Sequence, residues 1–454
     1  MKKNALLEKR IAEWRQYMLR RQALSGADVE ELEDHLRTQV EALEAAGLDR
    51  EEAFLVAVKR LGDLDSISRE FAREYSERLW KQLVVSPGEG GSSPAVSRNA
   101  LVAVALAVAS GIAIKLPELF GMSISEAAAA SFYMHNISLF VLPFLAGYFA
   151  WKRGLRGAGW TLLTATFIAA GMIINLLPFG QKSHTEMLAA IHLPIALWLA
   201  VGCAYMGGQW RSHDRRMNFV RFSGEWFIYY TLIALGGGVL MAFTLFVFEA
   251  IGLDASPLIE EWIMPCGIMG AVIIGAWLVE SKQSVIENMA PVLTRLFTPL
   301  FAALLLVFVA TMLWTGNAID VDRDVLIGFD LLLVLVLGLL LYSISARDRE
   351  APAGPFDWLQ LVLVICALLV DALALWAITA RISEFGFSPN KTAALGENII
   401  LLVNLGWSAV LYARFLARRA PFASLERWQT AYIPVYAAWA WIVVVLFPVI
   451  FDYQ

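Results

Sequence analysis

The run VICALLVDALALWAI puts Asp371 in the middle of an otherwise apolar segment. An ionised carboxyl is costly in a low-dielectric interior, so an acid there implies a proton that is carried and released, or a fixed partner. Arg381 and Lys391, further along the chain, are the cations available to it. They belong to a polar interruption, ARISEFGFSPNKTAALGENIILLVNLG (Ala380 to Gly406), that also holds Glu384, Glu397, Asn398 and Asn404. On a helix, Asn398 and Asn404 are six apart and face different flanks, whereas Glu397 and Asn404 are seven apart and share one. Asp330, in the preceding apolar run, is a second acid, nearer the outer surface, where a structural or interfacial role is the stronger reading. These eight residues form the candidate ligand-binding or proton-relay set. Hydrogen bonding between helices accounts for the asparagines, including Asn136 and Asn175, as well as ligand binding does.

Two further groupings stand out. Lys115, Glu118, His135, His184, Glu186 and His192 fall at the ends of apolar runs and could line a hydrated vestibule. Histidine with glutamate can bind zinc, but there is no HExxH and no close i, i+4 pair, so no metal is expected. Glu225 follows the basic stretch WRSHDRRMNFVRF, so Arg216, Arg221 and Glu225 suggest an ion pair or a contact with anionic lipid.

Familiar enzyme signatures are missing. No GxSxG elbow, P-loop or HExxH occurs, which argues against an ATPase or a familiar protease. Cys203, Cys266 and Cys366 lie in apolar runs without paired spacing and read as small buried hydrophobes. A net charge of −5 without a dominant basic block argues against nucleic acid. No cofactor is expected.

The elements that must hold these residues are membrane helices. The chain is 58% hydrophobic and 17% charged, outside the soluble range. Residues 1–95 hold 33 of its 77 charged residues, a composition break that separates a soluble segment from a membrane segment. Apolar runs predict about eleven spans: 98–116, 135–151, 158–178, 187–209, 226–251, 258–279, 296–315, 325–345, 357–379, 397–414 and 430–450. With the N-terminal segment cytoplasmic, inner connectors carry 15 Lys/Arg and outer ones four, namely Lys182, Arg323, Arg381 and Lys391. The positive-inside rule then sets the N-terminus in and the C-terminus out. Ala380 onward reads as an outer loop of about 17 residues, with Ser388-Pro389-Asn390 as a turn or helix start. Trp151, Trp210, Trp226, Trp262, Trp314 and Trp358 read as interfacial anchors. Gly236-Gly237-Gly238, Gly267 and Gly270 read as sites of close helix packing.

In the first segment four apolar faces recur at helical spacing: Leu7/Ile11/Trp14/Met18, Val29/Leu32/Leu36/Val40/Leu43, Phe54/Val58/Leu61 and Ile67/Phe71/Tyr75/Leu79. Asp49 with Glu52 has capping-box spacing, and Gly62 suits a helix C-cap. No signal peptide is expected, because the first long apolar run begins near residue 99. The overall expectation is all-α: a helical domain over 1–85, a Gly/Ser/Pro linker over 86–97, and a polytopic bundle over 98–454.

Beyond the residues themselves, HLRTQVEALEAAGLDREEAFLVAVKRLGDLDSISREFA (His35 to Ala72) resembles the helical permease-prefix domain that precedes bacterial membrane permease domains. The resemblance implies a cytoplasmic regulatory or docking module with no chemistry of its own, able to meet a cytoplasmic regulatory protein. RFSGEWFIYYTLIALGGGVLMAFTLFVFEAIGLD (Arg221 to Asp254), NISLFVLPFLAGYFAWKR (Asn136 to Arg153) and RISEFGFSPNKTAALGENIILLVN (Arg381 to Asn404) resemble an uncharacterised bacterial multi-pass membrane family, a domain of unknown function. Together they imply a bacterial inner-membrane protein in contact with lipid, and a permease-like transporter of a small solute or lipid. A membrane sensor reporting ligand or lipid binding to the helical domain is the alternative, and an intramembrane enzyme the third.

Overall fold

The structure, a computed structural model, describes residues 7, 10, 11, 14, 26–45, 47–62, 98–126, 129–180, 183–250, 253–281, 289–315, 323–349 and 351–453. Every regular element among them is helical. The chain divides into two compact units, residues 1–95 and 96–454.

In the first unit, helices Gly26–Ala45 and Arg50–Gly62 pack on each other. Leu36, Val40 and Leu43 from one meet Ala53, Phe54, Ala57 and Val58 from the other, with Ile11 and Trp14 completing a buried cluster. The turn between them rests on Gly47, at φ +95°, where the Leu48 N–H donates to Leu43 O and the Gly47 N–H to Glu44 O. That pair of bonds is a Schellman-type stop, and the left-handed backbone favours glycine. Gly62 is the last helical residue of its element. Met18, the Ile67–Leu79 face and the linker over 86–97 lie outside the described residues.

Among the described residues of the second unit are eleven helices long and apolar enough to cross a membrane, which makes this a multi-pass membrane protein. In chain order these spans are Arg98–Phe120, Ala130–Lys152, Gly157–Leu176, His184–Tyr205, His213–Glu249, Ser256–Ser281, Leu293–Thr311, Leu326–Ala346, Pro355–Phe385, Pro389–Leu416 and Ala423–Ile450. Two apolar cores organise them. One is built from the first six spans plus Val444, and includes Ala103, Leu145, Phe149, Leu193, Phe222 and Ile273. The other joins Met217 to spans seven to eleven through Leu305, Leu340, Val364, Leu405 and Phe422. Span eleven against span four, and span five against span eight, link the two halves.

Alternate connectors meet at common ends. Arg153 and Glu280 pair at 2.8 Å at one end, where Arg349 also reaches Asp214 (2.7 Å) and Glu426 (2.6 Å). At the other end Lys115 Nζ donates to Glu261 O (2.7 Å), and the Gly180 N–H to Tyr453 O. We call these the basic end and the opposite end. Lys115 adds a cation to the opposite end beyond the four counted from the connectors.

Three expectations about elements are corrected. Span five begins at His213, not 226, because Ser212 caps it and Met217, Phe219 and Phe222 bury one face of the basic stretch. Trp226 therefore sits inside the bundle, its indole donating to Val272 O at 3.0 Å, and is no interfacial anchor. The predicted 17-residue outer loop shrinks to residues 386–388: span nine runs to Phe385 and span ten starts at Pro389, with Ser388 as its N-cap. The glycine reading also changes. A Cβ at Gly236, Gly237, Gly238 or Gly267 would meet nothing within 4 Å, so these glycines seat no helix among the described residues, whereas one at Gly270 would touch Ala107 of span one.

Candidate functional site

Spans eight, nine and ten pack on one another, and each carries a carboxyl group. Asp371 on span nine is fully buried, and neither of its oxygens has a hydrogen-bond partner among the described residues. Asp330 on span eight accepts a hydrogen bond from Asn398 Nδ2 of span ten at 2.8 Å. Its carboxyl lies within electrostatic reach of both Asp371 and Glu397. Asn398 also donates to Ala394 O (2.8 Å), while its own Oδ1 is buried without a partner. Leu326, Ala374, Ala377 and Ile378 form a small buried apolar cluster between spans eight and nine. Carboxylates that feel one another in a low-dielectric setting repel, and protonation relieves the repulsion.

The cations named from sequence do not enter this cluster. Lys391 Nζ donates to Gly386 O (2.8 Å) and Arg381 O (3.5 Å), closing the end of span nine. Arg381 is ten residues beyond Asp371 on one helix, about 15 Å along the axis, and Glu384 is exposed at the same end. No ion pair among the described residues joins either cation to Asp371.

Asn404 belongs elsewhere. It is fully buried and exchanges hydrogen bonds with Gln429 of span eleven, at 3.1 and 3.3 Å, and Gln429 also donates to Ser408 Oγ (2.7 Å). Asn398 and Asn404 thus do face different neighbours, spans eight and eleven. A matching node, unread in the sequence, centres on Gln360, which donates to Ser343 Oγ (2.8 Å) and Thr298 Oγ1 (3.2 Å). A glutamine inside an apolar run was the available signal for Gln360, whereas Gln429 lies just outside the predicted run at 430–450 and carried none. Asn136 and Asn175 form a reciprocal pair at 2.8 and 2.9 Å between spans two and three.

The opposite-end residues separate into local contacts. Lys115 pairs with Glu118 and lies 4.5 Å from the Trp262 ring centroid. His135 Nε2 sits 2.8 Å from Glu186 Oε1, which also accepts from Ser131. His184 meets Asn390 at 3.1 Å, and His192 Nδ1 turns to Leu188 O at 2.8 Å. Among the described residues no group of three His, Cys, Asp or Glu is arranged to hold a metal.

At the basic end Arg216 is buried and spent on backbone carbonyls, Trp210 O and Thr430 O, which leaves it unsuited to an exposed lipid contact. Arg221 donates through Nε and Nη2 to Ser345 O. Glu225 is buried one helical turn further on. Arg221 and Glu225 line one cavity with Arg153, and Arg221 lines a second with Arg347, Arg349 and Glu426.

Comparison of the chain with protein-family models, with curated proteins and with solved structures gave no match.

Proposed function

We propose that this protein is a permease-like transporter of the bacterial inner membrane, and that its buried carboxyl groups couple a proton to movement of a solute or lipid. The observation that carries the reading is Asp371, fully buried with both oxygens unpartnered. Burying such a group costs several kcal/mol unless it is protonated or bound, and a purely structural acid would be expected to hold a hydrogen bond. Asp330 and Glu397 offer a proton further carboxyls on the adjoining helices, while Asn398 fixes Asp330 in place. The basic end is cytoplasmic in this reading, in accordance with the distribution of lysine and arginine. The resemblance of His35–Ala72 to a permease prefix points the same way.

Infrared difference spectroscopy of the full chain in proteoliposomes, titrated with acid, tests this. A protonated-carboxyl band that responds to acid and disappears in Asp371→Asn is expected. A wild-type spectrum indifferent to acid, or identical to that of Asp371→Asn, would sink the coupling role.

A further inference from the structure

At the basic end a cavity of about 320 Å³ opens between spans two, four, five and six. Its polar wall is Arg153, Arg215, Arg221, Tyr205, Asn218 and Glu225, three guanidinium groups against one carboxylate. Charge beyond the wall does not restore balance. Glu280, the carboxylate that holds Arg153 at 2.8 Å, also holds Lys152 at 2.7 Å, so two cations share one anion. Arg215 makes no ion pair among the described residues, and the Nε of Arg153 is a buried donor without an acceptor among them. Even if Glu225 neutralises one guanidinium, the wall keeps an excess of positive charge.

The adjoining cavity, of about 480 Å³, is a built-in comparison. There Arg349 is held by Asp214 and Glu426, and Arg347 meets Asp357 through two hydrogen bonds, at 2.8 and 3.1 Å. Its lining holds three arginines, Arg221 being shared with the first cavity, and three carboxylates, whereas the first cavity holds three arginines and one carboxylate. Guanidinium groups present paired N–H donors that fit phosphate oxygens. The cavity also lies at the ends of spans four and five, whose connector carries exposed Trp210, a residue type enriched where headgroups sit.

We propose that this cavity binds a phosphate group carrying net negative charge, and that Arg153, Arg215 and Arg221 recognise it. Two sources share that chemistry, the headgroup of an anionic lipid and free phosphate. The full chain is placed in nanodiscs of phosphatidylcholine alone, of phosphatidylcholine with phosphatidylglycerol, or of phosphatidylcholine with inorganic phosphate in the buffer. Native mass spectrometry then counts retained lipid or phosphate. The expected result is selective retention of phosphatidylglycerol by the wild type, weakened about tenfold or more in Arg215→Gln and less in Arg215→Lys, which keeps the charge but not the paired donors. Retention of inorganic phosphate with the same variant pattern also supports the site and assigns it to a soluble source. Exposed Arg419 lies outside the cavity lining, and Arg419→Gln is expected to behave as wild type. Equal loss in Arg419→Gln, no loss in Arg215→Gln, or no selectivity in the wild type would overturn the proposal.

Discussion

At the scale of residues, the buried polar groups of the membrane unit divide into satisfied and unsatisfied ones. Asn404, Gln429 and Ser408 close a network between spans ten and eleven, and the Trp428 indole adds a bond to Asn404 O at 3.1 Å. Such bonds hold helices together in lipid, where apolar side chains gain nothing from leaving water. Replacing Asn404 by Leu should destabilise the protein by about 1–2 kcal/mol, and Gln429→Leu by a similar amount. The double variant should cost clearly less than the sum, since neither partner is then left orphaned. Thermal or denaturant unfolding in detergent measures this; strictly additive losses would show that the two amides do not act as a pair. Asp371 is the contrast, because the same low dielectric that favours the Asn404 network penalises a carboxyl without one.

At the scale of elements, close packing is set by a few glycines that were not conspicuous in the sequence. A Cβ on Gly396 of span ten would overlap the Trp439 indole of span eleven, and one on Gly224 of span five would come within 2.6 Å of the Tyr342 ring of span eight. Gly396→Ala should therefore cost about 1–3 kcal/mol through overpacking, whereas Gly237→Ala, with open space around it, should be close to neutral. Trp439→Phe should recover part of the Gly396→Ala loss. Equal stability of the two alanine variants in a detergent melt would contradict this packing. Span nine shows how an element end is secured: Asp357 accepts from the Gly354 N–H at 2.8 Å and receives both arms of Arg347, which stacks on Phe415 and Phe422.

At the scale of the molecule, eleven spans require that residues 353 and 387, on either side of span nine, face opposite compartments. Ala353→Cys and Phe387→Cys, in a background lacking Cys203, Cys266 and Cys366, should react with a membrane-impermeant maleimide from opposite sides. Exposed Glu41→Cys in the first unit should follow Ala353→Cys. Labelling of Phe387→Cys and Ala353→Cys from the same side would break the span order. The membrane class, the number of spans and the helical faces around Leu36 and Phe54 were legible in the sequence. Hydropathy and 3.6-residue periodicity are local properties, and the lipid core imposes a length on every span. Asp371, Asp330 and Asn398 could likewise be picked out singly, because a polar residue in an apolar run is costly wherever it lies. Which of them meet was decided only by tertiary structure. Asp330 and Asn398 are 68 residues apart, and hydropathy carries no information about which span stands beside which. For the same reason Arg381 and Lys391, plausible partners along the chain, end at a helix terminus away from the buried acid. The excess of arginine in the basic-end cavity emerged only when spans two, four, five and six closed around it.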